Sequence, residues 1–309
     1  MLHLYTRFFN LTILKKLKKH DDIYISDESD PVTQKVVSFY NKNPFPNYGI
    51  KDNKMSILYN GDQSYLKNLK KIFQYKKKIL EVGCGTGQFS NYFAIGSNSH
   101  VYALDPTFNS LKISKEFSDK NNIKNITYIN GSIFEDIFEK ESFDLIFTSG
   151  VLHHTKNAYL GFQKCLKLLK KDGLILIGLY NSYSRFSFKK ILYKLFGKKI
   201  ILLIDPIIKK KKFSEASVNS WIQDQYNHPH ENSFSISDVL DWFEKNNVEP
   251  MAGKPKINDQ CLEQIDEHIF KSKKQKIFSK FEMVISQIKM NFNLLGTDAS
   301  LFCLLGKKL

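Results

Sequence analysis

A doubly wound α/β fold, built on a mostly parallel sheet, is the architecture the sequence predicts. Three observations predict it. Short apolar runs alternate with helix-period segments over about 100 residues from position 78. The first run opens directly into a glycine-rich loop, Gly83-Cys84-Gly85-Thr86-Gly87. The fifth run, Leu174-Ile175-Leu176-Ile177-Gly178-Leu179, has no polar alternation, as a strand covered on both faces requires.

The elements follow in order. Residues 1–31 read as a basic arm followed by an acidic, polar linker (DDIYISDESDP). Residues 32–77 read as an aromatic cap. Its centre, Phe39 to Tyr48, carries Pro44, Pro46 and four rings, which excludes a long helix or a central strand. Four rings left in water would be costly, so they should pack on something.

The core is predicted over residues 78–184. Ile79–Val82, Val101–Leu104, Ile126–Ile129, Asp144–Ser149 and Leu174–Leu179 are its strands. A helix starts near Gln88, and another runs through Leu111 to Phe117. Phe162, Cys165, Leu166 and Leu169 mark one face of a third helix, ended by Asp172-Gly173. Residues 185–235 interrupt the order and read as an insertion at the mouth of the sheet, covering a substrate. Residues 236–309 complete the sheet. They offer a helix with Ile236, Val239, Leu240 and Phe243 on one face, a strand at 247–255, a helix at 275–290, and a final antiparallel edge strand at 300–305. The total is seven strands.

Composition narrows the function. With 309 residues, 42% hydrophobic and 25% charged, the chain is globular rather than fibrous or disordered. No apolar run reaches the ~20 residues of a membrane span, so an integral membrane protein is not expected. The net charge of +15 suggests a polyanion partner, but of 46 basic residues only Arg7 and Arg185 are arginine. Base readout and planar phosphate recognition lean on arginine, so no specific nucleic-acid partner is expected. Peripheral contact with an anionic membrane, through the basic arm and Lys209 to Lys212, is the surface reading kept open. Cys84, Cys165, Cys261 and Cys303 have neither metal nor redox spacing, which points to a reduced, cytoplasmic setting.

The glycine loop carries the chemistry. A strand, then G-x-G-x-G, then a helix is a nucleotide-binding arrangement, and glycine lets the backbone approach a ligand closely. Asp105 ends the next strand and can accept both hydroxyls of a ribose. The spacing differs from the dinucleotide G-x-G-x-x-G. Glu81, just before the loop, would repel a pyrophosphate but favours a ligand bearing an ammonium and a sulfonium.

Glu81-Val82-Gly83-Cys84-Gly85-Thr86-Gly87 resembles the first motif of class I S-adenosylmethionine-dependent methyltransferases. The likeness continues through Asp105-Pro106, Asn130-Gly131-Ser132-Ile133, the strand Phe143–Ser149 with Gly150, and Leu168–Ile177, covering roughly residues 78–180. It resembles the small-molecule branch that includes quinone-biosynthesis methyltransferases. It implies a Rossmann-like fold and S-adenosylmethionine as cofactor, held by Glu81, Gly83, Cys84, Gly85, Gly87, Asp105, Pro106, Gly131, Ser132, Ile133, Ser149 and Gly150. Ser132 stands where the family usually has an acidic or similar polar group, a departure at the adenine contact.

Methyl transfer needs an aligned acceptor and, for a hydroxyl or ammonium acceptor, a base. His153 and His154, directly after the fourth core strand, are the base candidates. Tyr180 and Asn181 follow the fifth, and Tyr226 and His228 lie in a polar loop; with Tyr40 and Tyr48 they are the expected acceptor contacts. His228, His230 and Glu231 do not have standard zinc spacing, so no metal is expected. The expected function is transfer of a methyl group to a small or lipid-like acceptor. Two rivals remain: a cofactor-binding protein without turnover, and a methyltransferase for nucleic acid or protein. Thr148-Ser149-Gly150-Val151 replaces the Asn-Pro-Pro-aromatic tetrad of enzymes that methylate base or glutamine amino groups.

Overall fold

The computed structural model describes residues 17–309 except 27–29, 43, 47, 49–51, 186–187, 206–207, 209–214, 227, 272–274 and 291–300. Most of the predicted basic arm, and Lys209 to Lys212, lie outside the described residues.

A single mixed sheet organises the chain. Its strands are β1 (Lys18–His20), β2 (Ile23–Ile25), β3 (Lys78–Val82), β4 (His100–Asp105), β5 (Ile126–Asn130), β6 (Phe143–Ser149), β7 (Leu169–Tyr180), β8 (Val248–Lys254) and β9 (Leu301–Lys308). They lie in the order β1-β2-β5-β4-β3-β6-β7-β9-β8. The pairs from β2 through β7 are parallel, whereas β9 runs antiparallel to both β7 and β8. The chain order reverses beside β3, between β4 and β6, and that switch point is where open α/β sheets bind ligands.

Two-residue alternation splits the core between the faces. On one face Leu80, Tyr102, Ile146 and Ile175 pack with Phe162, Val239 and Phe243. On the other, Ile79, Val101, Leu145 and Leu174 pack with Leu69, Phe73 and Phe93. The described α-helices are α1 (Pro31–Lys42), α2 (Lys54–Asp62), α3 (Leu66–Phe73), α4 (Gln88–Ala94), α5 (Phe108–Lys120), α6 (Ala158–Leu168), α7 (Ser182–Arg185), α8 (Phe188–Phe196), α9 (Lys198–Ile204), α10 (Glu215–Tyr226), α11 (Ile236–Lys245) and α12 (Lys280–Lys289). Asn53, Ser235 and Ser279 close capping boxes at the starts of α2, α11 and α12.

Four expectations need correction. Among the described residues the sheet has nine strands, not seven, because the segment read as arm and linker contributes the hairpin β1–β2. Asp21 and Asp22 adopt φ of 49° and 62°, the left-handed pair a tight hairpin turn needs. Ile23 is then fully buried, and β2 pairs with β5 through Tyr24–Ile129 and Ile25–Asn130. Second, Phe39 and Tyr40 lie on α1, so the aromatic turn begins only beyond Lys42. Third, α6 stops at Leu168 and β7 begins at Leu169, so Asp172-Gly173 falls inside the strand segment. Fourth, β9 is not an edge strand. It lies between β7 and β8, which explains its almost wholly buried sequence, and β8 forms the edge.

Candidate functional site

The C-terminal ends of β3, β4, β5, β6 and β7 open into one cavity of about 560 Å³. Gly83, Gly85 and Gly87 all have positive φ, so the chain can turn sharply from β3 into α4. At Gly85 the need is steric as well: a Cβ there would sit 2.6 Å from the Phe45 carbonyl oxygen. The Thr86 hydroxyl donates to the Pro46 carbonyl, so the aromatic segment rests on the glycine loop.

Two carboxylates face this loop. Asp105 accepts from the Gly85 N–H at 2.8 Å and the Thr107 N–H at 2.7 Å, which ties the end of β4 to the loop. Glu81 accepts from both the backbone N–H and the hydroxyl of Ser90. Burial pushes Glu81 up to about 8, against the Ser90 hydrogen bonds that favour its charged form. Burial also raises Asp105. A cationic ligand would relieve both. Burial raises the Cys84 thiol well above its ordinary value, so it is no nucleophile at neutral pH.

Of the residues the resemblance assigned to cofactor, all but Gly87 line the cavity. Gly87 instead starts α4, and a Cβ on it would meet Ser114 Oγ at 1.8 Å, so it serves close helix packing. Gly150 has φ of +81° and no protein atom within 4 Å of a built Cβ, so its α-carbon borders open space. The residues thus fit S-adenosylmethionine. Glu81 and the loop would hold the methionine end, Asp105 the ribose, and the wall at Gly131-Ser132-Ile133 would border the adenine.

The histidines separate clearly. His154 lines the cavity, and His153 is buried beside it, its ring 3.9 Å from that of Tyr180. His154 Nδ1 lies 2.9 Å from the His230 carbonyl oxygen. A carbonyl can only accept, so Nδ1 carries the proton and Nε2 of the neutral ring is the basic nitrogen. His228 stacks on His154 with centroids 3.6 Å apart, and its Nδ1 meets the same carbonyl at 2.7 Å. It packs against His154 and is not part of the cavity lining.

The expected acceptor contacts divide too. Tyr40 and Tyr180 line the cavity. Tyr48 does not: it stacks on Phe117 at 4.2 Å and accepts from Asn91 Nδ2 at 2.9 Å, bracing the cap against α4 and α5. Asn181 is one residue beyond Tyr180, so its side chain leaves the opposite way. It donates to the Gln287 carbonyl at 2.9 Å and accepts from the Tyr183 N–H. Tyr226 donates to buried Asp205 at 2.9 Å, and Trp221 Nε1 donates to the same oxygen at 3.3 Å.

Sequence reasoning did not single out Thr33 and Val36 on α1 or Trp221 on α10, which line the cavity with Phe45 and Gln225. Gln225 Nε2 donates to the Tyr180 hydroxyl at 3.0 Å. The available signal was that Trp221 and Gln225 stand four apart on one helical face. Among the described residues, no group of three or more metal-ligating side chains occurs.

Comparison with known proteins agrees with this geometry. A family model described as a methyltransferase domain matches residues 74–249. The ubiquinone biosynthesis O-methyltransferase of Glaesserella parasuis serovar 5 (strain SH0165) is 34% identical over 113 residues, 35% of this chain and 47% of that protein. The demethylmenaquinone methyltransferase of Staphylococcus aureus (strain MRSA252) is 26% identical over 137 residues, 44% of this chain and 56% of its own. The chain thus spans about half the length of these curated relatives. Geranyl diphosphate C-methyltransferase from Streptomyces coelicolor A3(2) superposes with a TM-score of 0.51 at 10% identity, over 91% of this chain and 99% of that one. At that identity the likeness speaks for the fold. The sheet, the glycine loop with its two buried carboxylates, and a family match over more than half its length together show that this chain belongs to the methyltransferase-domain family.

Proposed function

We propose that the chain transfers a methyl group from S-adenosylmethionine to a hydroxyl of a small, flat, lipid-like acceptor. One observation carries the reading. A single cavity joins the Glu81–Asp105 end to an aromatic end holding Tyr40, Phe45, Trp221, Tyr180 and His154. A cavity with apolar walls and a few convergent polar groups suits a ring-bearing acceptor. The likeness to a ubiquinone biosynthesis O-methyltransferase and a demethylmenaquinone methyltransferase supports the same class.

S-adenosylmethionine supplies a sulfonium methyl that a nucleophile can take, with the bonding pair returning to a neutral thioether. Everything else falls to side chains of this chain. Gln225 and Tyr180 form a hydrogen-bonded pair that can orient an acceptor oxygen. His154 Nε2 takes the hydroxyl proton as that oxygen attacks, and the His230 carbonyl steadies the imidazolium through Nδ1. α1, the aromatic segment and α10 act as a cap over the acceptor, excluding water. The setting we infer is the cytoplasm.

The test begins with calorimetric titration of S-adenosylmethionine and, separately, NADH, with Asp105→Ala as control. Saturable S-adenosylmethionine binding, lost in the variant, is expected. A labelled-methyl screen over catechols, quinols and short prenyl phenols follows. Binding of NADH in place of S-adenosylmethionine would refute the reading. So would labelling of nucleic acid or protein with every small acceptor silent.

A further inference from the structure

The segment His228-Pro229-His230 holds two histidines that the proposed transfer step uses only through one backbone carbonyl. Pro229 has no N–H and a fixed φ, and the chain bends at Pro229 and His230. The His228 ring thereby folds back onto the peptide two residues on. Its Nδ1 lies 2.7 Å from the His230 carbonyl oxygen and 3.2 Å from the His230 nitrogen. An unprotonated Nδ1 at 2.7 Å would set two lone pairs against each other, so Nδ1 carries the proton and donates to the carbonyl. His154 Nδ1 donates to that same oxygen at 2.9 Å. A carbonyl oxygen has two lone pairs, so one acceptor serves both rings.

The rings also touch. His228 and His154 stack with centroids 3.6 Å apart and planes 29° from parallel. His153 meets the His154 ring edge-on at 4.1 Å. From the cap, Phe39 and Tyr40 of α1 meet the His228 ring at 5.1 Å and 5.6 Å. The segment is tied to the loop that bears the base as well. His230 Nε2 donates to the Thr155 carbonyl at 3.0 Å, and the Asn232 N–H to the His153 carbonyl at 2.8 Å. Three separate stretches of chain therefore meet at His228: the loop after β6, the loop after α10, and the cap helix α1.

A neutral imidazole carries its proton on either nitrogen, and only a ring protonated at Nδ1 presents a basic Nε2. The His230 carbonyl makes that choice for His154. His228 holds the carbonyl by its own hydrogen bond, and its ring fixes the plane of His154. We propose that His228 is a positioning residue for His154, keeping the base in its Nδ1–H form, and that α1 steadies it through Phe39 and Tyr40. The inference rests on the proposed role of His154 in taking the acceptor proton.

The first test needs no turnover. Long-range proton–nitrogen NMR spectra of the full chain read the ring nitrogens of His154, with His154→Ala to assign the signal. The wild type should show the Nδ1–H form almost alone. His228→Asn keeps an N–H to donate to the carbonyl and should retain that form. His228→Ala and His228→Phe release the carbonyl, and their Nε2–H form should grow roughly fivefold or more. An unchanged His154 signal in His228→Ala would overturn the proposal.

The second test uses whichever catechol, quinol or short prenyl phenol accepts the labelled methyl group. His228→Ala should lower kcat roughly tenfold, and His228→Asn should recover most of it, with S-adenosylmethionine affinity held in both as the check on folding. In a His154→Ala background, His228→Ala should cost nothing further. Losses that multiply in the double variant would make His228 a separate contributor and overturn the proposal. A His154→Ala variant with full activity would remove the base and this inference together. Silence from every acceptor counts against the proposed activity alone, and the NMR spectra then decide the role of His228.

Discussion

Glu81 gives the sharpest prediction, because its buried carboxyl couples cofactor binding to protons. With burial holding it at about 8, the empty site at pH 7 carries a protonated Glu81 in roughly nine molecules of ten. A ligand with an ammonium and a sulfonium favours the carboxylate. Binding at pH 7 should then release close to one proton, about half a proton at pH 8, and little at pH 9. Affinity should climb about tenfold per pH unit below pH 8 and then level off.

The stability of the empty protein moves the other way. Glu81 titrates higher in the fold than its ordinary 4.5, so its contribution is fully present below pH 4.5 and is lost as pH rises towards 8. The whole span is worth about 5 kcal/mol. Glu81→Gln keeps an oxygen to accept both Ser90 bonds and removes the titration. It should melt above the wild type at pH 8.5, bind S-adenosylmethionine at least tenfold more weakly, and release no Glu81 proton. The assay is calorimetry in two buffers of different ionisation enthalpy at each pH, using Glu81→Gln to subtract the ligand's own amino-group titration. Equal proton release by wild type and variant would refute the reasoning.

Further predictions rest on other contacts. Gly85→Ala places a Cβ 2.6 Å from the Phe45 carbonyl at a φ of +51°, so thermal unfolding should report a loss of about 1–3 kcal/mol, with weaker cofactor binding. Tyr48→Phe removes only the Asn91 bond and should cost about 1 kcal/mol, whereas Tyr48→Ala also removes the Phe117 stack and should cost about 3–5 kcal/mol in denaturant titrations. His154→Ala should lower turnover roughly 10²–10⁴-fold while calorimetric cofactor affinity holds, and imidazole should restore part of it. Asp205→Asn weakens the hold on Trp221 and Tyr226, so KM for the acceptor should rise with cofactor affinity unchanged.

The parallel core and the cofactor loop were legible because both are local. Five apolar runs, three glycines at alternate positions and an acid at the end of the next strand need no knowledge of distant chain. The hairpin β1–β2 was less legible. Three-residue strands carry almost no periodicity, and the polar composition around Asp21-Asp22 reads as a linker until β5 offers an edge to pair with. Asn181 and Tyr226 stand outside the cavity lining for a different reason. Asn181 and Tyr226 look as site-like as Tyr180, but strand alternation turns Asn181 away and Asp205 captures Tyr226.

What the sequence by itself determined is therefore the family, the sheet core and the cofactor end, since each rests on residues adjacent in the chain. The tertiary structure alone decided which histidine faces the cavity, because the backbone carbonyl of His230, 76 residues from His154, sets that ring's proton. It alone brought Val36, Phe45 and Trp221 to one wall, and turned Leu195, Phe196 and Leu203 outward. Apolar side chains carry no local mark of whether they will line a core, a cavity or a surface. Only the packing of distant segments assigns them.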